Sequence, residues 1–118
     1  MPIRAGRAAK TIRELALSLP EAYEDSPWGF PVFKVADNRL FALLMENDPV
    51  ELTVKLSAEE REIAYLHPWV RSARYVGRYG WITAMIEDAD ALETGLEWLR
   101  ESYYLKAPAK LRDAAFAE

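Results

Sequence analysis

Apolar positions along this chain switch between two periods, and the switches mark its elements. From Ala8 to Leu19, the residues Ile12, Leu15, Ala16 and Leu19 share one face at helical spacing. Pro20 then stops the helix. Glu21 to Pro31 holds two prolines and Gly29, which predicts a loop or a short irregular strand. Pro31 to Ala36 sets Val32 and Lys34 against Phe33 and Val35, the alternation of a strand. Asp37-Asn38 follows as a two-residue hairpin turn, because both residues tolerate positive φ. Arg39 to Met45 returns as a largely buried strand through Leu40-Phe41-Ala42-Leu43-Leu44, and Asn47-Asp48-Pro49 turns again. Val50 to Leu56 then places Leu52, Val54 and Leu56 on one side, completing an antiparallel meander.

The second half returns to helices. Ser57 with Glu60 three residues later is a capping-box signature for a helix through about Leu66, ended by His67-Pro68. Tyr75 and Val76 are read as a short strand, and Gly80 to Ile86 as a firmer one around Trp81-Ile82-Thr83. Asp88 or Asp90 can cap a last long helix with Ala89, Leu92, Leu96, Leu99 and Tyr103 at helical spacing. Pro108 begins a short terminal helix carrying Leu111 and Phe116. The order helix, strands, helix, strand, helix predicts an α+β fold: a single antiparallel sheet flanked by helices that cover one face.

Size agrees with this pattern. The 118 residues fit a single domain, 1–118, with no repeat or low-complexity linker. No apolar run approaches the roughly 18 residues of a membrane helix. Met1-Pro2-Ile3-Arg4 lacks the apolar core of a secretory signal. With no cysteine, thiol catalysis, disulfides and thiolate metal sites are excluded, and a cytoplasmic location is expected.

Charge changes the picture locally. The net charge is −4, which opposes dedicated nucleic-acid binding. Yet Ile63 to Ile86 contains no acid, and there Arg71, Arg74 and Arg78 are interleaved with Tyr65, Trp69, Tyr75, Tyr79 and Trp81. Guanidinium groups among aromatic rings bind anions through charge, stacking and cation–π contacts. Residues 1–13 add Arg4, Arg7, Lys10 and Arg13 without an acid, whereas Glu87, Asp88, Asp90, Glu93, Glu97 and Glu101 crowd one later segment. Segregated charge can hold an anion locally despite a negative total.

Four separated blocks resemble the MmcQ/YjbR family, also called DUF419. They are Leu17-Ser18-Leu19-Pro20, then Pro31-Val32-Phe33-Lys34-Val35 leading to Arg39-Leu40-Phe41-Ala42-Leu43-Leu44, then Arg78-Tyr79-Gly80-Trp81-Ile82-Thr83, and finally Glu101-Ser102-Tyr103. Their order and spacing match from about residue 10 to 112. The resemblance implies a small domain similar to the CyaY-like group. Family members are commonly labelled predicted DNA-binding proteins, from a double-wing structural motif. Two positions depart from the family pattern. A glycine-lysine hairpin is here Asn38-Arg39, which keeps a cation, and a basic or histidine position before the tryptophan is Gly80, which removes a polar contact.

Each candidate has a functional and a structural reading. Arg71, Arg74 and Arg78 can anchor phosphates with Tyr79 or Trp81 stacking on a base or ligand ring. Alternatively, Trp69, Tyr75 and Trp81 are core or rim aromatics, and the arginines pair with the acidic last helix. Lys34 either points into a concave face toward an anionic ligand or guards an edge strand against aggregation. The basic N-terminus can be an arm that tracks phosphates, but its every-third-residue spacing favours a solvated helix start or frayed tail. Glu93, Glu97 and Glu101 share a helix face but do not converge as metal ligands, so no metal or cofactor is expected.

Catalysis lacks a constellation. His67 is the single histidine, and no nucleophile elbow, phosphate-binding Gly loop or His-Glu-x-x-His pattern occurs. Ser102-Tyr103 is read as closing the last long helix onto the sheet. The sequence therefore predicts a non-enzymatic binding protein using Lys34, Arg71, Arg74, Arg78, Tyr79 and Trp81. DNA, bound with little sequence selectivity, is the leading partner. The alternative is a small-molecule or protein interaction module with an aromatic-lined groove.

Overall fold

A computed structural model describes residues 2–74 and 76–116, the last three by backbone alone. Helix α1 spans Ala5–Ser18 and buries Ala8, Ala9, Ile12 and Ala16. The segment after Pro20 forms a short edge strand, β1, at Ala22–Asp25. Strands β2 (Val32–Val35) and β3 (Arg39–Met45) form the predicted hairpin. Its turn differs from the expected one. Positive φ falls on Ala36 (52°) and Asn38 (59°), so the link spans three residues rather than Asp37-Asn38 alone.

The hairpin also carries a bulge. Phe33 pairs with Ala42 whereas Lys34 pairs with Leu40, which leaves Phe41 as the extra residue. Phe41 and Ala42 are consequently both in the core, and the Phe41 ring meets Tyr103 edge-on at 5.3 Å between centroids. Strand β4 follows at Val50–Lys55.

Helix α2 (Ala58–Ala64) ends two residues before the predicted limit. Ser57 accepts from the Glu60 amide as a capping box requires, at 3.2 Å. The reciprocal bond is replaced by contacts to the last long helix. The Ser57 amide donates to Glu101, and Trp98 Nε1 donates to Glu60. Both ends of the cap therefore fasten α2 to that helix.

The predicted strand at Tyr75-Val76 is corrected. The strand, β5, is Val70–Ser72, because these residues find the open edge of β6 (Trp81–Ile86); Val76 lies in a turn and Tyr75 lies outside the described residues. Asp88 caps α3 (Ala89–Lys106) by accepting from the Ala91 amide at 2.8 Å. The buried face of α3 is rotated from the predicted one: Ala91, Gly95, Trp98, Leu99, Ser102 and Tyr103 point inward while Ala89 is exposed. Gly95 explains the rotation, since a Cβ there would stand 3.1 Å from Ile86 Cδ1. The helix approaches the sheet closely at its smallest residue. Helix α4 (Ala109–Phe116) closes the chain with Leu111 buried.

All neighbouring strands are antiparallel, in the order β1-β2-β3-β4-β6-β5. Alternation assigns the faces. Phe33, Ala42, Leu44, Leu52, Val54, Ile82, Ala84 and Ile86 meet α1 and α3 in the core. Leu43, Met45, Glu51, Thr53, Thr83 and Arg71 line the opposite face. Among the described residues no helix is long and apolar enough to cross a membrane.

Candidate functional site

The face away from α1 and α3 carries a groove of about 590 Å³, within the range of small-molecule sites. Its floor is built by strand register. Across the sheet, Val32, Leu43, Thr53, Thr83 and Arg71 stand opposite one another on consecutive strands. The row therefore runs from apolar through hydroxyl to cationic. A parallel row adds Met45, Glu51 and Met85. Phe30 forms the wall on the β2 side, and Ser72 to Arg74 with Val76 form the wall on the β5 side.

Thr53 and Thr83 are each more than nine-tenths buried, and their hydroxyl oxygens lie 2.8 Å apart. One donates to the other, so one hydroxyl proton of the pair remains for a further acceptor. The three charged residues of the lining are Glu51, Arg71 and Arg74, a local sum of +1 (two cations less one carboxylate). Arg71 uses one terminal nitrogen, Nη2, on both the Met85 sulfur (3.0 Å) and Glu51 (3.5 Å). Arg74 is exposed and has no ion-pair partner among the described residues.

The sequence-predicted residues separate into four places. Arg71 and Arg74 meet at the groove. Arg78 and Tyr79 lie together in a 3₁₀ turn, Gly77–Tyr79, with the guanidinium 4.9 Å from the centre of the exposed phenol ring. Trp81 is 8% exposed, so its ring is not presented to solvent. Lys34 faces the groove side of β2 but is committed to Asp25 at 2.8 Å. That hydrogen bond, then the Ser26 amide, hold the Asp25 carboxyl below the usual carboxylate range. A closed apolar pocket under Trp81 and Phe33 would favour the interaction-module alternative, but the two side chains occupy opposite faces of the sheet, so no pocket lies between them. Arg71 pairs with Glu51 of β4 rather than with an acid of α3.

Several groove residues went unnoticed in the sequence: Phe30, Leu43, Met45, Glu51, Thr53 and Thr83. Their signal was the unbroken apolar run of β3, which implies cover or concavity on both faces. A second cationic grouping was also missed. Burial, then Lys55 and Arg39, lower the Lys106 ammonium pKa at the end of α3. His67 packs its ring 4.6 Å from Trp69 and 5.8 Å from Trp98. Among the described residues no group of three His, Asp or Glu side chains could hold a metal ion.

The YjbR family model matches residues 17–105, about three quarters of the sequence. The chain belongs to the YjbR family. The Deinococcus radiodurans protein DR2400, whose crystal structure contains a DUF419 domain, is similar at 25% identity and a TM-score of 0.75, over 91% of this chain and 86% of that one. A Pseudomonas syringae protein of known crystal structure shares the fold at 19% identity and a TM-score of 0.63, over 83% and 97% of the two chains. No curated protein matches.

The structure explains how blocks typical of the YjbR family sit together. Ser102 Oγ donates to the Phe41 carbonyl (2.6 Å) and accepts from the Lys55 amide (3.0 Å). The last block thus anchors α3 to β3 and β4 at Phe41, the extra residue of the β2–β3 bulge. Gly80 has φ 94°, and a Cβ there would meet Arg61 Nη1 at 2.6 Å. Arg61 Nη1 in turn donates to the Leu56 carbonyl at 2.6 Å. Glycine at this position is therefore favoured by its left-handed backbone and leaves room for the Arg61 contact with Leu56.

Proposed function

We propose that this YjbR-family chain is a non-enzymatic binding protein that receives a small anionic molecule with an apolar body in the open-face groove. The observation that carries this reading is Arg74, an exposed guanidinium with no ion-pair partner among the described residues, beside a floor of Leu43 and Met45. The apolar floor supplies burial, and the net positive end fixes orientation. The polar groups lining the groove are hydroxyls, an amide, the Arg71–Glu51 ion pair and the Arg74 guanidinium, a set suited to holding a ligand rather than to proton transfer. Titration with anilinonaphthalene sulfonate, an aromatic anion, tests the reading. Saturable fluorescence at one probe per chain, weakened in Arg74→Ala with an unchanged circular dichroism spectrum, is expected. Equal probe affinity in the two proteins would refute it.

A second reading, DNA binding with little sequence selectivity, is favoured by Arg78 stacked on exposed Tyr79 outside the groove. Together with Arg74 this pair would contact phosphate and stack on a base. Labelled duplex and single-stranded DNA, followed by anisotropy at about 50 and 200 mM salt, tests it. Steeply salt-dependent binding, weakened when Arg74 and Arg78 are both replaced by alanine, is the expected result. Unchanged affinity in the double variant excludes this surface.

A further inference from the structure

Resting on the small-anion reading of the same groove, we propose that its ligand is an elongated carboxylic acid. It has the length of a medium-chain fatty acid and carries a hydroxyl or carbonyl oxygen a few atoms from the carboxylate. The order of chemistry along the floor leads to this class. The cross-strand row begins with Arg71, continues with Thr83 and Thr53, and ends with Leu43 and Val32. Adjacent strands lie roughly 4.8 Å apart, so three steps carry the row about 14 Å from Arg71 to Leu43. A linear molecule laid across the strands meets a cation first, then hydroxyls, then apolar side chains, with Phe30 and Met45 beside its far end.

Each segment has capacity to spare. Among the described residues Arg71 has committed Nη2 alone, which leaves Nη1 and Nε, and Arg74 has its whole fork. These donors match a carboxylate. The threonine pair is internally bonded and retains one proton, which suits a ligand oxygen that accepts. A purely hydrocarbon ligand would leave that proton unspent beneath it, a loss for a buried donor. An alcohol without a carboxylate would leave the positive end unanswered. The volume of about 590 Å³ accommodates such a chain without enclosing it.

The test compares β-hydroxydecanoate, decanoate and decan-1-ol by calorimetric titration, with displacement of anilinonaphthalene sulfonate as the groove readout. The hydroxy acid should bind about five-fold more tightly than decanoate, the increment of one neutral hydrogen bond. The alcohol should bind at least about ten-fold more weakly than decanoate, the loss of a charge-assisted contact. The preference for the hydroxy acid should vanish in Thr53→Val/Thr83→Val and persist in Thr53→Ser/Thr83→Ser, which guards against a folding defect. Equal binding of the two acids, both displacing the probe, would overturn the proposed class and leave the groove reading intact. Binding of the probe without either acid would do the same. Failure of probe and acids alike would remove both.

Discussion

Tyr103 donates its phenol proton to the carbonyl of Pro20 at 2.7 Å, joining the end of α3 to the residue that stops α1. The ring is fully buried against Phe41, so this bond is made at the rim of the core. Burial raises the Tyr103 pKa, and the nearby Glu21 carboxylate raises it further. Tyr103→Phe keeps the ring and removes the donor. It should cost about 1–2 kcal/mol in urea unfolding, with an unchanged dependence of free energy on denaturant. A raised folded pKa stabilises below the ordinary phenol value of about 10, and that contribution falls as pH rises through the folded value. The variant should therefore lose less stability than the parent on the alkaline side. Parallel pH profiles would contradict this assignment.

Gly80 allows a second prediction, at a position where the family resemblance implies a basic residue or histidine and this chain has glycine. With φ at 94° and Arg61 filling the space of a side chain, Gly80→His should not recover a polar contact. It should destabilise by about 1–2 kcal/mol through left-handed backbone strain, with a further loss from displaced Arg61. Thermal unfolding of Gly80→His and Gly80→Ala measures this. An equal or higher midpoint in either variant would show that the backbone relaxes.

Much of the fold could be read from local pattern, and the groove could not. The first helix, the β2–β3 hairpin, the Ser57 cap and the Asp88 cap each depend on residues within a few positions, where period and capping chemistry act. Strand β5 was misplaced because three residues carry little periodicity, and their pairing with β6 is decided by an available sheet edge. The bulge at Phe41 was hidden inside a continuous apolar run. Thr53 and Thr83 stand thirty positions apart, yet register brings their hydroxyls together. The basic-aromatic tract was visible as composition, but its division among Arg71 and Arg74 at the groove, exposed Arg78 and Tyr79, and buried Trp81 depends on how β5 and β6 pair. Local rules locate elements, and tertiary register assembles sites from them.

Asp25 and Lys34 provide a prediction in acid. Lys34 and the Ser26 amide favour the ionised carboxyl of Asp25, so its folded pKa lies below the unfolded one. The resulting stabilisation is present above the ordinary carboxylate value of about 4 and is lost as pH falls through the lowered folded value. Asp25→Asn cannot titrate and should show a shallower acid-side fall in urea midpoint than the parent. A carbon-detected NMR titration of Asp25 reports the shift directly. An Asp25 titrating at or above the ordinary value would contradict the contact.

Glu51 governs how much positive charge the groove offers an incoming anion. Its carboxylate lies 3.5 Å from Arg71 and is the single acid in a lining that otherwise carries two arginines. Glu51→Gln raises the local sum from +1 to +2 while keeping the side-chain length, and it releases Arg71 Nη2 from its ionic partner. The Arg71 side chain is largely exposed, so the pair contributes little to stability, and unfolding should shift by less than about 1 kcal/mol. Binding of anilinonaphthalene sulfonate should instead tighten about two- to five-fold, the equivalent of a solvent-screened charge contact. The gain should shrink as salt rises from about 50 to 500 mM, because the Debye length falls below the distances involved. Arg74→Ala in the Glu51→Gln background should return affinity towards that of the parent. Tighter binding without salt dependence would assign the effect to packing, and weaker binding would show that Glu51 positions Arg71 for the ligand rather than competing with it.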